Sequence, residues 1–155
     1  VRGGGSAPRP AGAAPVARGF AMTTTAADRL ASRAADHKKA EKVAAWAIRD
    51  LAPVVPRPFL RVTSEGGADE TIREAFLTPA AHEGDGLTTA YLEWVVVFGV
   101  EVTLRFDLRG RVELNLPGTS HSLAQAAALA ALLRTVTDFA AQLSAYLTQA
   151  WKDAA

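Results

Sequence analysis

The chain runs to 155 residues, which suggests one domain long enough to bury a sizeable core. It contains no cysteine, and this excludes a disulfide framework, a thiol nucleophile and any Cys-based metal site. Net charge is +1, yet residues 1–61 hold eleven Lys/Arg against four Asp/Glu while residues 62–155 hold six against twelve.

That asymmetry fits a nucleic-acid contact or self-association, and it fits as well a basic tail followed by an ordinary solvated helix, the commoner situation. The hydrophobic fraction of 49% is unusual only in being alanine-rich, with 33 alanines. Residues 1–21 combine Gly, Pro, Ala and Arg without apolar periodicity, and such composition predicts disorder. They hold no apolar run of seven or more residues, so they do not read as a signal peptide. The single methionine, Met22, precedes TTTAADRL and reads as a natural start, with 22–155 as one α+β domain.

Thr25 and Asp28 make a capping-box-like pair, predicting a helix from about Ala26 to Leu51 that stops before Pro53. Leu30, Ala34, Ala40, Ala44, Ile48 and Leu51 approximate its apolar face, widened by Val43 and Trp46. Its middle, Arg33 to Lys42, is charged almost throughout and reads as a solvated surface. Pro53, Pro56 and Pro58 then stiffen an extended connection. Residues 59–64 read as a short strand with Leu60 and Val62 inward. Residues 69–77 fit a short helix or a strand, and 78–86 read as loop.

The most informative stretch is Leu87–Gly118. Even-numbered Leu92, Trp94, Val96, Val100, Val102, Leu104 and Phe106 are apolar, and their odd neighbours include Glu93, Glu101, Thr103, Arg105 and Asp107. Such alternation marks strands with one buried face. A single strand from Ala90 to Asp107 would run about 60 Å at roughly 3.3 Å per residue, so the chain must fold back or bend. A three-residue loop closed by left-handed Gly110 pairs Arg105 with Glu113, Asp107 with Arg111, Phe106 with Val112, Leu104 with Leu114 and Val102 with Leu116. The same geometry at Gly99 pairs Trp94 with Val102, Leu92 with Leu104 and Tyr91 with Arg105, leaving an apolar tip at Val97 and Phe98. A single strand bent at Gly99 competes with that hairpin.

Ser122 and Gln125 form a second capping-box pattern and open a last helix over 123–152, about 45 Å at roughly 1.5 Å per residue. Leu129, Leu132, Val136, Phe139, Leu143, Tyr146 and Ala150 follow alternating three- and four-residue spacing. Arg134 and Asp138 are its only charges before Lys152. Leu123–Leu133 is apolar apart from Gln125, but shorter than the roughly 20 residues of a membrane span.

The fold expected is therefore α+β and two-layered: a meander over 88–96, 100–107 and 111–116, joined by 59–64 and packed on two long helices. Trp94, Val102, Leu104, Phe106, Leu114, Val136, Phe139 and Leu143 should form its core. No nucleophile elbow, phosphate loop or dinucleotide fingerprint occurs. His37, His82 and His121 have no partner at metal-ligand spacing, and His82 with Glu83 and Asp85 is the one local acid–His cluster. No catalytic, cofactor or metal residue is assigned. The function expected is that of a non-enzymatic interaction module (adaptor, assembly factor or small chaperone), homodimeric and cytoplasmic. Val97, Phe98, Leu143, Tyr146 and Ala150 are its candidate partner contacts. The alternatives are a nucleic-acid-associated regulator using Arg33, Lys38, Lys39 and Lys42, and an enzyme whose site is assembled from dispersed residues.

Overall fold

A computed structural model describes residues 25–96, 99–118 and 120–155. The tail of 1–21, Met22 and the hairpin tip Val97–Phe98 lie outside the described residues. Contact density divides the chain between Arg33 and Ala34, and residues 34–155 carry the sheet and the core. The elements are α1 (Ala26–Asp50), a 3₁₀ turn (Ala52–Val54), α2 (Ala68–His82), β1 (Ala90–Val96), β2 (Val100–Phe106), β3 (Val112–Asn115) and α3 (Leu123–Asp153). The fold is α+β as expected, with two long helices, the shorter α2 and an antiparallel sheet in the order β1-β2-β3 among the described residues.

The register follows from the alternation. Tyr91 faces Arg105, Leu92 faces Leu104 and Trp94 faces Val102 across β1 and β2. Arg105 faces Glu113, Leu104 faces Leu114 and Phe106 faces Val112 across β2 and β3. Gly99 and Gly110 both take positive φ at 78° and 104°, as bulged hairpins require. The expected Val102–Leu116 pair is not made, because β3 ends at Asn115 and Leu116 turns to solvent. Asp107 does lie opposite Arg111, donating its main-chain N–H to the Arg111 carbonyl at 3.0 Å, but its side chain departs from the expected outer-face pair. Its carboxylate is buried, and Oδ1 accepts the main-chain N–H groups of Arg109 at 2.9 Å and Arg111 at 3.1 Å instead of facing the Arg111 guanidinium. A side chain that closes its own turn replaces an outer-face ion pair.

Even-numbered strand residues supply the core. Trp94, Val102, Leu104, Phe106, Val136, Phe139 and Leu143 are buried as expected, whereas Leu114, on the edge strand β3, is only partly covered. Phe76 of α2 meets Phe106 with ring centroids 5.3 Å apart. Trp94, fully buried, donates its indole N–H to the Pro56 carbonyl at 2.9 Å, which docks the proline-stiffened connection onto β1.

The segment 59–64 forms no strand. Leu60 makes an isolated antiparallel bridge to Trp94, with Arg61 N–H donating to the Glu93 carbonyl and Val95 N–H to the Phe59 carbonyl. Beyond Arg61 the chain turns away, because Thr63 and Ser64 give their N–H groups to the Thr71 hydroxyl at 3.1 and 3.2 Å. Val62, expected inward, is 49% exposed. The ambiguous stretch 69–77 is helical, and α2 continues through Pro79 to His82, so the expected loop is shorter than 78–86. Asp69 and Glu70 occupy the first turn of α2, where carboxylates favour the helix dipole.

Both long helices start at the caps read from sequence. The Thr25 hydroxyl accepts from Asp28 N–H at 3.0 Å, and Ser122 and Gln125 form a full capping box. The apolar face expected of α1 is buried only in its second half, at Ala40, Val43, Ala44 and Ala47, while Leu30 is 65% exposed. By length and composition α3 is apolar enough to cross a membrane, with a mean hydropathy of 1.2 over its best window. The Leu123–Leu133 run alone understated this helix; a mostly buried core helix of a water-soluble protein passes the same measure, and 22% of this window is buried.

The Gly110 turn lies directly on α3. The Ser144 hydroxyl donates to the Gly110 carbonyl at 2.8 Å, and a Cβ on Gly110 would fall 2.9 Å from the Thr148 nitrogen and 3.1 Å from the Ser144 carbonyl. With its positive φ, Gly110→Ala should destabilise the protein by about 2–3 kcal/mol. Urea unfolding checks this; a change within experimental error would show that the turn is loosely packed.

Candidate interaction surfaces

The two faces of α3 differ in kind. Leu132, Val136, Phe139, Ala140, Leu143, Leu147 and Ala150 are buried against the chain's own sheet and helices. This corrects the sequence reading of Leu143 and Ala150 as partner contacts, since side chains buried within the chain are not on offer to another molecule. Tyr146 is partly buried and donates its hydroxyl to Asp50 of α1. The face turned to solvent carries Ala127, Ala131, Arg134, Asp138, Ala141 and Ala145, and Leu123 at its start is 91% exposed. Arg134 and Asp138 have no ion-pair partner among the described residues.

A second cluster ties the charged part of α1 to the opposite end of α3. The Trp151 ring receives both Lys39 Nζ and the Arg109 guanidinium, each 4.6 Å from its centroid. Arg109 also donates twice to the Asp85 carbonyl, at 2.7 and 3.0 Å, and pairs with Asp36 at 3.3 Å. Gly86 lies so close that a Cβ there would come within 2.6 Å of the indole. Lys39 is thus engaged within the chain, whereas Arg33, Lys38 and Lys42 stand exposed on α1. No sequence signal pointed to this cluster, because its members come from four separate segments.

Near the other end of α1, Arg49 and Tyr146 both bond the Asp50 carboxylate. The Arg49 hydrogen bond, then that of Tyr146, lowers the Asp50 pKa to about 2. Burial first, then Asp50, pushes Tyr146 up to about 12, and Asp50 raises Arg49 above its ordinary range. The outer face of the sheet carries Arg61 against Glu93 at 3.0 Å and Glu101 at 2.7 Å.

The dispersed histidines stay apart. His37 faces Glu41 at 3.6 Å, His82 ends α2 and His121 precedes α3. No three His, Asp or Glu side chains converge to hold a metal among the described residues. Compared with protein-family models, curated proteins and solved structures, the chain matches none.

Two expectations follow for these clusters. Trp151→Ala should destabilise the fold by roughly 1–3 kcal/mol, as cation–ring contacts and partly buried area are lost together; unchanged urea unfolding would show that the cluster is only a surface contact. Because the folded Asp50 pKa is depressed, its contribution is present above about pH 4 and is lost as pH falls toward 2. Because the folded Tyr146 pKa is raised, its contribution is lost as pH climbs from about 10 to 12. Tyr146→Phe should therefore be less stable than the parent at pH 6, with the difference shrinking at pH 2.5; denaturant midpoints at both pH values measure it.

Proposed function

We propose that this chain is a non-enzymatic protein-interaction module that works as a homodimer, two copies pairing through the solvent face of α3. The supporting observation is that the middle of this face, from Ala127 to Ala145, matches itself in both directions. Ala127 and Ala145 are equidistant from Val136 along the helix, as are Ala131 and Ala141, and Arg134 and Asp138. At about 100° per residue all six cluster opposite the buried Val136 side chain. An antiparallel pair with its two-fold axis level with Val136 sets alanine against alanine and Arg134 against the partner's Asp138. Small side chains permit the close end of the roughly 8–10 Å range of helix separations. An isologous contact of this kind closes on itself, so the same face cannot recruit further copies.

In this reading the buried stripe of α3 holds the fold and its outer stripe holds the partner copy. The dimer then serves as an adaptor, assembly factor or small chaperone. A cytoplasmic setting belongs to the same proposal.

Light scattering after size exclusion of the full chain, at low and high salt, tests the reading. A dimer mass is expected at both salts. Arg134→Asp sets like charges opposite each other at two symmetry-related places and should weaken the dimer by about tenfold. The exchanged pair, Arg134→Asp with Asp138→Arg, should restore it. A monomeric parent, or a dimer indifferent to all of these changes, would sink the proposal.

A further inference from the structure

The loop that follows α2 contains Asp85–Gly86, the one Asp–Gly step in the sequence. The single asparagine, Asn115, precedes a leucine, so no Asn–Gly step competes with it. Glycine has no Cβ to shield its amide nitrogen from the side chain before it. Gly86 takes a positive φ of 80°, and no hydrogen bond claims its N–H among the described residues. Asp85 itself is partly exposed to water.

Both carbonyl carbons of Asp85 have donors on their oxygens. The Leu87 N–H donates to Oδ1 at 2.8 Å, a turn that folds the carboxyl back over the Asp85–Gly86 peptide. The Arg109 guanidinium donates twice to the main-chain carbonyl oxygen, from Nη2 at 2.7 Å and Nε at 3.0 Å. Arg109 is held there from outside the loop, by the Trp151 ring and by Asp36.

We infer that Asp85–Gly86 is a site of spontaneous rearrangement to isoaspartate, with Leu87 and Arg109 supplying the donors for its two steps. In the first step the Gly86 nitrogen attacks Cγ of the protonated carboxyl. The N–Cγ bond forms while negative charge develops on Oδ1 against the Leu87 N–H. The Oδ2 hydroxyl then leaves as water, taking the amide proton with it, and a five-membered succinimide remains. In the second step water adds to one of the two ring carbonyls, and the bond from that carbon to nitrogen breaks. Addition at Cγ returns aspartate. Addition at the former main-chain carbonyl gives isoaspartate, and there the developing oxyanion lies against both Arg109 donors. The water consumed replaces the water lost, so the product is an isomer of the starting chain.

The Arg109 contact bears on the product as well. The carbon whose oxygen it holds becomes a free carboxylate, so a bond to a neutral carbonyl becomes a charge-assisted pair. The main chain gains a methylene in the loop that packs on Trp151, and the change therefore falls on the cluster tying α1 to the end of α3. It does not involve the outer face of α3.

Peptide mapping by mass spectrometry tests this on the full chain, kept warm for several weeks near neutral pH in heavy-oxygen water. The label marks every ring-opened product, so returned aspartate is counted beside isoaspartate. The same chain held unfolded in guanidinium chloride is the reference. The folded chain should rearrange at position 85 severalfold faster than the unfolded one and give a larger share of isoaspartate. Arg109→Gln removes both donors and should return that share to the unfolded value, with circular dichroism reporting whether the variant is folded. Asp85→Glu, whose imide would need a six-membered ring, should form no isomer.

Slower rearrangement in the folded chain than in the unfolded one overturns the inference, because the fold would then protect the step. An equal share of isoaspartate in both forms of the parent, or the parent's share in a folded Arg109→Gln, overturns the part assigned to Arg109.

Discussion

The fold depends on one side chain above the others. Trp94 sits at the centre of the even face with its ring fully buried, and an indole donor left unpaired there would cost about 1–3 kcal/mol. The Pro56 carbonyl meets that need. The bond fixes where the proline connection must lie, and that placement sets Leu60 against Trp94 and carries the chain into α2. A polar requirement inside the core thus decides the path of a segment that has no regular structure of its own. The three prolines make the requirement easier to satisfy, since a stiff connection loses little entropy on docking.

What the sequence made legible is governed by short-range rules. Period-two alternation fixed the burial of every residue of β1 and β2 on the even face, and two glycines with charge pairing fixed the register. The caps at Thr25 and Ser122 needed only side chains three residues apart. Each of these choices is settled by neighbours in the chain or by one partner strand. The errors lie where a side chain competes with the ladder. Thr71 turns 62–64 away from β1, and Asp107 folds its carboxylate under its own turn. Both are hydroxyl or carboxylate hydrogen bonds to main-chain donors, and propensity cannot weigh them without knowing which donors are close.

The candidate surfaces divide the same way. The seam of α3 was visible as three- and four-residue spacing, but spacing alone does not say which molecule covers it. Leu143 and Ala150 proved to belong to the chain's own core. Once that side is known, the opposite face is fixed by helix geometry, and the matched positions about Val136 follow from sequence numbers alone. The Trp151 cluster is different. Lys39, Asp85, Arg109 and Trp151 are brought together by the completed fold, so a charged stretch of α1 that looks fully solvated in sequence is partly consumed in holding the end of α3.

Both borders of the sheet are short. β3 has four residues and carries Glu113 and Asn115, and on the other side the open part of β1 ends where Arg61 and Glu93 pair. Long, flat, apolar borders template aggregation, and natural sheets avoid it by brevity and by charge. Here the same economy limits how much of a foreign chain can be held. A border this short gives an adventitious strand few main-chain groups to pair with before it meets charge.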